Sequence, residues 1–294
     1  MRIASLLPSA TEIVHLLGVE DDLVGVSFEC DFPPDPRADH PVLVGGLATE
    51  GLSPSEIDAL VRERVAAGDD LYRLDDEAFR RARPDVVLTQ DLCRVCALAA
   101  GDTADALARL GSSAEVVTLD PRTLDDVLDS IAAVADAVGV TERAEGAIAE
   151  LRRRLAEVAR RTLGAHRPRT FVLEWIDPPF PSGHWVPDLV EAAGGEAVLA
   201  RRGERSIPTR WDLIVESDPD VVVVAPCGFD LDGSAAQAAD VLDLLPGRAE
   251  VWAIDADGLV VRPGPRLVEG VEALATVLHP TLHDGPHPAV RRIR

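Results

Sequence analysis

The four cysteines stand where strands end. Cys30 follows the apolar run Leu23–Val26, Cys93 and Cys96 follow Val86–Leu88 within TQDLCRVC, and Cys227 follows the run Asp220–Ala225. In open α/β sheets the loops beyond the carboxyl ends of the strands face the ligand, so this placement aims all four at one site. Thiolates select soft or borderline ions, and four of them suit zinc or an iron–sulfur centre. A thiolate approaching the metal of a bound chelate, and redox exchange by the Cys93–Cys96 pair, are further chemistries. The pair does not open a thioredoxin-type helix that would lower a thiol pKa. The plainer alternative is that each cysteine is a small buried hydrophobe. So few cysteines in 294 residues are no disulfide framework.

Aromatic residues gather on the same loops. They make up 4% of the chain, yet Phe28, Phe32, Trp175, Phe180, Trp185 and Phe229 all follow strands. Apolar plates with a few orienting polar groups suit a flat macrocycle. Packing is the competing role for Phe32 and Trp185. Ser9, Glu29, Gln90, Asp91 and Glu174 are the polar candidates on these loops. The two glutamates would accept amide donors from a ligand, or stand as solvated rim charges. His184 precedes a helix start at Pro187 and offers an imidazole to a metal. His279, His283 and His287, in a Pro-rich tail, read as surface residues.

Alternating strand and helix patterns must hold these loops. Arg2–Leu6 reads as a buried strand, and Ser9 with Glu12 three residues on has the spacing of a helix capping box. Strands at Leu23–Val26, Val42–Val44, Val86–Leu88 and Val116–Leu119 alternate with helical patterns at Ser53–Ala66, Asp75–Arg81 and Thr103–Leu110. That alternation implies a mainly parallel sheet. Between Thr123 and Thr162 the apolar spacing is helical throughout, broken at Gly139, and Thr141–Thr162 reads as a long half-exposed connector. Alternation then resumes with strands at Thr170–Glu174, Ala197–Leu199, Asp220–Ala225, Val251–Ile254 and Leu259–Val261, and a closing helix from Pro265. The expected organisation is α/β: an N-terminal lobe over residues 1–138, a connecting helix over 139–166 and a C-terminal lobe over 167–294, with the ligand in a cleft between Rossmann-like lobes. A helical connector would keep lobe closure small.

Composition narrows the partners. Fifty-one acidic residues against 29 basic ones, every basic residue an arginine, give a net charge of −22, which repels nucleic acid and anionic membranes. Apolar runs stay below the roughly 20 residues a membrane span requires. The first residues lack a signal-peptide pattern, so the reading is cytoplasmic as written, and extracytoplasmic if a leader has been removed. No Walker loop, dinucleotide fingerprint or Gly-x-Ser-x-Gly elbow occurs, so no catalytic residue is nominated and a binding protein is expected rather than an enzyme.

The phrases RIASLLPSATEIVHLLG, RPDVVLTQ and GLVVRPGPRLVEGVEALATVLHP resemble the first strand-helix, a late N-lobe strand and the final helix of the helical-backbone solute-binding proteins of ABC transporters. Within that superfamily ECDFPP, TQDLCRVC and EWIDPPFPSGHWVP are similar to the subgroup labelled cobalamin-binding. The resemblance implies two lobes joined by a long helix, cobalamin or a related corrinoid as ligand, and an ABC permease as partner. A metalloprotein or enzyme using the cysteine cluster for zinc or an iron–sulfur centre is the alternative.

Overall fold

The computed structural model describes the chain except for residues 34–35, 50 and 91–99. It divides into two compact units: Met1–Pro121 with Asp126–Ile148, and Arg122–Asp125 with Ala149–Arg294.

Unit 1 opens with β1 (Ile3–Ser5), α1 (Pro8–Leu16), β2 (Leu23–Ser27) and β3 (Val42–Gly45). There follow α2 (Pro54–Ala67), β4 (Arg73–Leu74), α3 (Asp76–Ala82), β5 (Val86–Thr89), α4 (Ala100–Leu110), β6 (Glu115–Thr118) and α5 (Leu124–Ala137). Among the described residues its sheet runs β4-β3-β2-β1-β5-β6, parallel except for β4. Strands buried on both faces read as continuous apolar runs, which is why β1 and β5 were legible. Leu6, Leu43, Val44 and Val87 pack with Phe79 and Leu107 from α3 and α4.

Helix α6 (Thr141–Thr162) passes from unit 1 into unit 2, with no strand inside it. Unit 2 continues through β7 (Arg169–Ile176), β8 (Pro179–Pro181), β9 (Gly183–His184), α7 (Val186–Ala192), β10 (Glu196–Ala197) and β11 (Arg201–Arg202). Then come α8 (Trp211–Glu216), β12 (Val221–Val224), α9 (Leu231–Asp240), β13 (Glu250–Ile254), α10 (Ala256–Leu259), α11 (Leu267–Leu278) and β14 (Val290–Arg292). The order β10-β7-β12-β13-β14 is parallel up to an antiparallel β14, with β8 folded back on β7. The fold is thus α/β in both units.

Several local expectations are corrected. Helix α1 starts one residue before Ser9: Pro8 occupies its first turn, where a missing N–H costs nothing, and Leu7 is the N-cap without a side-chain bond. The capping box stands instead at α2, where Ser53 accepts from Glu56 N–H and Glu56 accepts from Ser53 N–H. The expected strand Leu259–Val261 is the last residue of α10 and the turn after it, and Asp255 caps that helix by accepting from Gly258 N–H. The tail pairs as β14, antiparallel to β13 with Val290 opposite Ile254. His279 is 6% exposed, not a surface residue, and its ring lies 3.3 Å from the Gly194 carbonyl.

Helices α10 and α11 meet at Gly270, where a Cβ would fall 2.0 Å from the Leu259 carbonyl oxygen. Backbone cannot yield as a side-chain tip can, so Gly270→Ala is expected to cost about 1–3 kcal/mol in denaturant unfolding. An unchanged midpoint would contradict this close approach.

Candidate functional site

In unit 1 the register of β1 with β2 and β5 makes their carboxyl ends neighbours, so the loops carrying Ser9, Phe28–Cys30 and Gln90 leave one edge together. That edge is polar but closed. Ser5, Ser9, Thr11, Ser27, Thr89 and Gln90 are all buried. Thr11 Oγ1 donates to Ser5 Oγ at 2.8 Å, and Ser5 Oγ donates to the Leu7 carbonyl at 3.0 Å. Cys30, fully buried, brings its Sγ within 3.1 Å of Thr11 Oγ1. Such a thiol is part of the packing of this edge.

Phe28 and Glu29 sit farther out. The Phe28 ring covers Gly46, where a Cβ would meet its Cζ at 2.3 Å, so a larger residue there would displace the ring. Tyr72 lies 6.2 Å from Phe28 between ring centroids, and its hydroxyl donates to Glu29 Oε1 at 3.4 Å. Arg37 Nη1 donates to the Phe28 carbonyl at 2.8 Å. Tyr72, the chain's single tyrosine, was missed by the sequence reading. It precedes β4, a strand too short to leave a pattern. A cavity of about 850 Å³ opens beside Gly46 and Tyr72, against Arg73, Asp76 and Arg109. None of the sequence candidates lines it, and half of its lining residues are charged.

In unit 2, β7, β12 and β13 release their loops at one edge. Trp175 faces Phe180 across the β7–β8 turn, and its ring centroid is 6.1 Å from that of Phe229 after β12, the planes tilted by 55°. The Trp175 indole N–H donates to the Asp177 carbonyl at 3.1 Å, which fixes the ring. All three aromatics are part-exposed, and Cys227 on the same loop as Phe229 is exposed. Close by, Asp257 N–H donates to the Phe229 carbonyl at 3.0 Å, and Asp257 is ion-paired with Arg262, whose Nε donates to Asp257 Oδ1 at 3.1 Å. Sequence reading missed this pair because it assigned the segment to a strand.

Glu174 turns inward. Its Oε1 accepts from Gly183 N–H at 3.0 Å, tying the end of β7 to β9. Desolvation of the carboxyl pushes its pKa up to about 8, against the pull of the Gly183 and Ser206 hydrogen bonds. A carboxyl raised in the folded state favours folding below its unfolded value near 4.5, and that contribution is lost as pH rises to about 8. Glu174→Gln mimics the protonated group. The variant should therefore melt with the parent at pH about 4 and increasingly above it towards pH about 8. A pH-independent difference in melting temperature would contradict the assignment.

His184 takes a left-handed φ of 46° and stacks on Trp185 at 5.5 Å. Burial first, then Arg205 and Arg122, hold its pKa below the ordinary value, leaving a neutral ring. Trp185 itself is 6% exposed and donates its indole N–H to the Val260 carbonyl at 2.8 Å, a packing role.

Asp91, Cys93 and Cys96 lie outside the described residues. Among the described residues no group of three or more His, Cys, Asp or Glu is placed to hold a metal ion. Among them, too, no helix is long and apolar enough to cross a membrane.

A family model described as "Periplasmic binding protein" matches residues 3–256. The vitamin B12-binding protein of Vibrio cholerae serotype O1 is 25% identical over 281 residues, spanning 94% of this chain and 88% of that one. An uncharacterized ABC transporter substrate-binding lipoprotein of Bacillus subtilis is 25% identical over 299 residues, spanning 95% and 80%. A periplasmic heme-binding protein from Pseudomonas aeruginosa shares the fold, with a TM-score of 0.71 at 22% identity over 99% of this chain and 97% of that one.

Proposed function

We propose, from the premise that this chain belongs to the periplasmic binding protein family, that it binds a cobalamin- or haem-type metal chelate and transforms nothing. The observation that carries this reading is the aromatic edge of unit 2. Trp175 at the end of β7, Phe180 opposite it in β8 and Phe229 after β12 offer part-exposed plates, each fixed by backbone bonds or by its neighbour. A planar macrocycle gains most from such plates, and His184, stacked on Trp185 and kept neutral chiefly by burial, has a nitrogen lone pair for a cobalt or iron atom. Arg262 and Asp257 supply the charged groups that would orient polar substituents of the cargo. In unit 1, Phe28 and Glu29, held by Tyr72, with the buried Ser9 and Gln90 behind them, are the candidate contacts of that unit taken by itself.

The relatives named for vitamin B12 and heme support the chelate class, and the one named as an ABC transporter substrate-binding lipoprotein supports delivery to a permease outside the cytoplasm. The cargo's metal arrives with it, so no resident zinc or iron–sulfur centre is needed. Purifying the untagged protein and recording its absorption spectrum with elemental analysis tests this reading. Corrinoid bands with cobalt, or a haem Soret band with iron, are expected. Stoichiometric zinc, or iron with sulfide and no macrocycle, would overturn it.

A further inference from the structure

One residue ties together the segments of the aromatic edge in unit 2. Along β7 and β8, Leu173 pairs with Pro181 and Trp175 with Phe180, so Glu174 is the extra residue of a β-bulge, a device that re-aims a side chain. Its carbonyl accepts from Cys227 N–H at 3.1 Å, on the loop that carries Phe229, and its Oε1 accepts from Gly183 N–H, one residue before His184. Gly183 has no slack: a Cβ there would fall 2.5 Å from Ser206 N and 2.8 Å from the Glu204 carbonyl oxygen. His184 N–H donates to that carbonyl at 2.7 Å, Gly203 N–H donates to the His184 carbonyl at 2.9 Å, and Ser206 Oγ donates to the Pro181 carbonyl at 2.5 Å. This lattice holds His184 at a φ of 46°, which a residue with a Cβ keeps only where its surroundings fix it.

Among the described residues, the Glu174 carboxyl answers to desolvation, Gly183 N–H and the Ser206 hydroxyl, not to a neighbouring charge. On the segments packed around it, Arg201 is ion-paired with Glu204 and Arg202 with Asp188, and Arg205 acts on His184. Asp177 is exposed in the β7–β8 turn, and His184 and Cys227 complete the titratable groups there. On the chelate reading given above, we propose that Glu174 is the positioning residue of the site: its neutral carboxyl fixes the Gly183–His184 segment, and a chelate laid over the aromatic edge is held with Glu174 as the acid. An apolar macrocycle takes further water from the carboxyl and so favours the acid over the carboxylate. Binding then takes up a proton wherever the ligand-free chain has ionised Glu174.

Two measurements test this, one with cargo and one without. With cobalamin and haem in turn, the parent's affinity relative to that of Glu174→Gln should be level near pH about 7 and fall through pH about 8, by up to about tenfold per unit. Glutamine keeps the acceptor for Gly183 N–H and cannot ionise, and using it as the reference cancels the cargo's own titration. Cys227→Ser should keep the fall, which separates it from thiol ionisation. Glu174→Ala, without the acceptor, should bind about tenfold more weakly at every pH. In the ligand-free chain, amide exchange over Gly183–Ser206 should be faster in Glu174→Ala than in the parent at pH about 7, and faster in the parent than in Glu174→Gln at pH about 9, with β12 and β13 unchanged. Equal exchange in all three would overturn the positioning role, and an affinity ratio independent of pH would overturn the coupled proton. Altered exchange in a chain that binds neither chelate would uphold the role of Glu174 in the edge and sink the chelate reading instead.

Discussion

Replacing Trp175 by alanine weakens binding of a corrinoid or haem by about 1–3 kcal/mol, roughly five- to 150-fold, which is the scale for losing a large apolar contact at a binding hot spot. The expectation rests on a ring that is part-exposed, held by its own N–H bond to the Asp177 carbonyl, and tilted against Phe229. Part-exposure means that little core is lost with it, so its removal should act on affinity and leave the melting temperature nearly unchanged. Trp175→Phe keeps a plate and loses the N–H bond, and it should recover most of the affinity. Equal binding by parent and alanine variant in a calorimetric titration would remove Trp175 from the site.

Trp185→Ala has the opposite signature. This indole is 6% exposed and gives its N–H to the Val260 carbonyl, so truncation leaves a cavity and a buried acceptor without its donor. The cost is about 3–5 kcal/mol. At about 2–4 °C per kcal/mol for a domain of this size, thermal denaturation should show a large fall in the midpoint. A midpoint unchanged beside a loss of chelate affinity would make Trp185 a ligand plate instead.

The contrast between these two tryptophans shows where the sequence stops being informative. Trp175 lies next to the last residue of β7 and Trp185 directly follows β9, so both are aromatic residues at a strand's carboxyl end. Which one faces outward depends on the β7–β8 turn and on a carbonyl 75 residues away, neither of which leaves a local pattern. Helix α6 was legible because 22 residues keep one apolar period with no proline or strand signal between them. The central strands were legible as unbroken runs such as Val221–Val224. Short paired segments were not: β4, β9, β11 and β14 span two or three residues each, too few for any period to show. Tyr72 was lost with a segment of that kind, and the Asp257–Arg262 pair because the end of α10 read as a strand. Cys30 was placed after the right strand, yet its burial among Thr11 and Ser5 comes from the pairing of β1 with β2, a contact between distant parts of the chain.

Glu174 illustrates a different gap. A carboxylate after a strand suggested a donor-seeking ligand contact, whereas the folded chain supplies its partner in Gly183 N–H. Its raised pKa then follows from desolvation, a property of the assembled edge.

The proposed hold on a metal-bearing macrocycle lies in the aromatic edge of unit 2. Isothermal titration calorimetry of the purified chain with cobalamin, cobinamide and haem in turn tests it most directly. Saturable heat with one macrocycle per chain, lost or strongly weakened in the Trp175→Ala variant, is the predicted result. Absence of heat with all three at high micromolar concentration, or binding that Trp175, Phe180 and Phe229 variants leave unchanged, would contradict it.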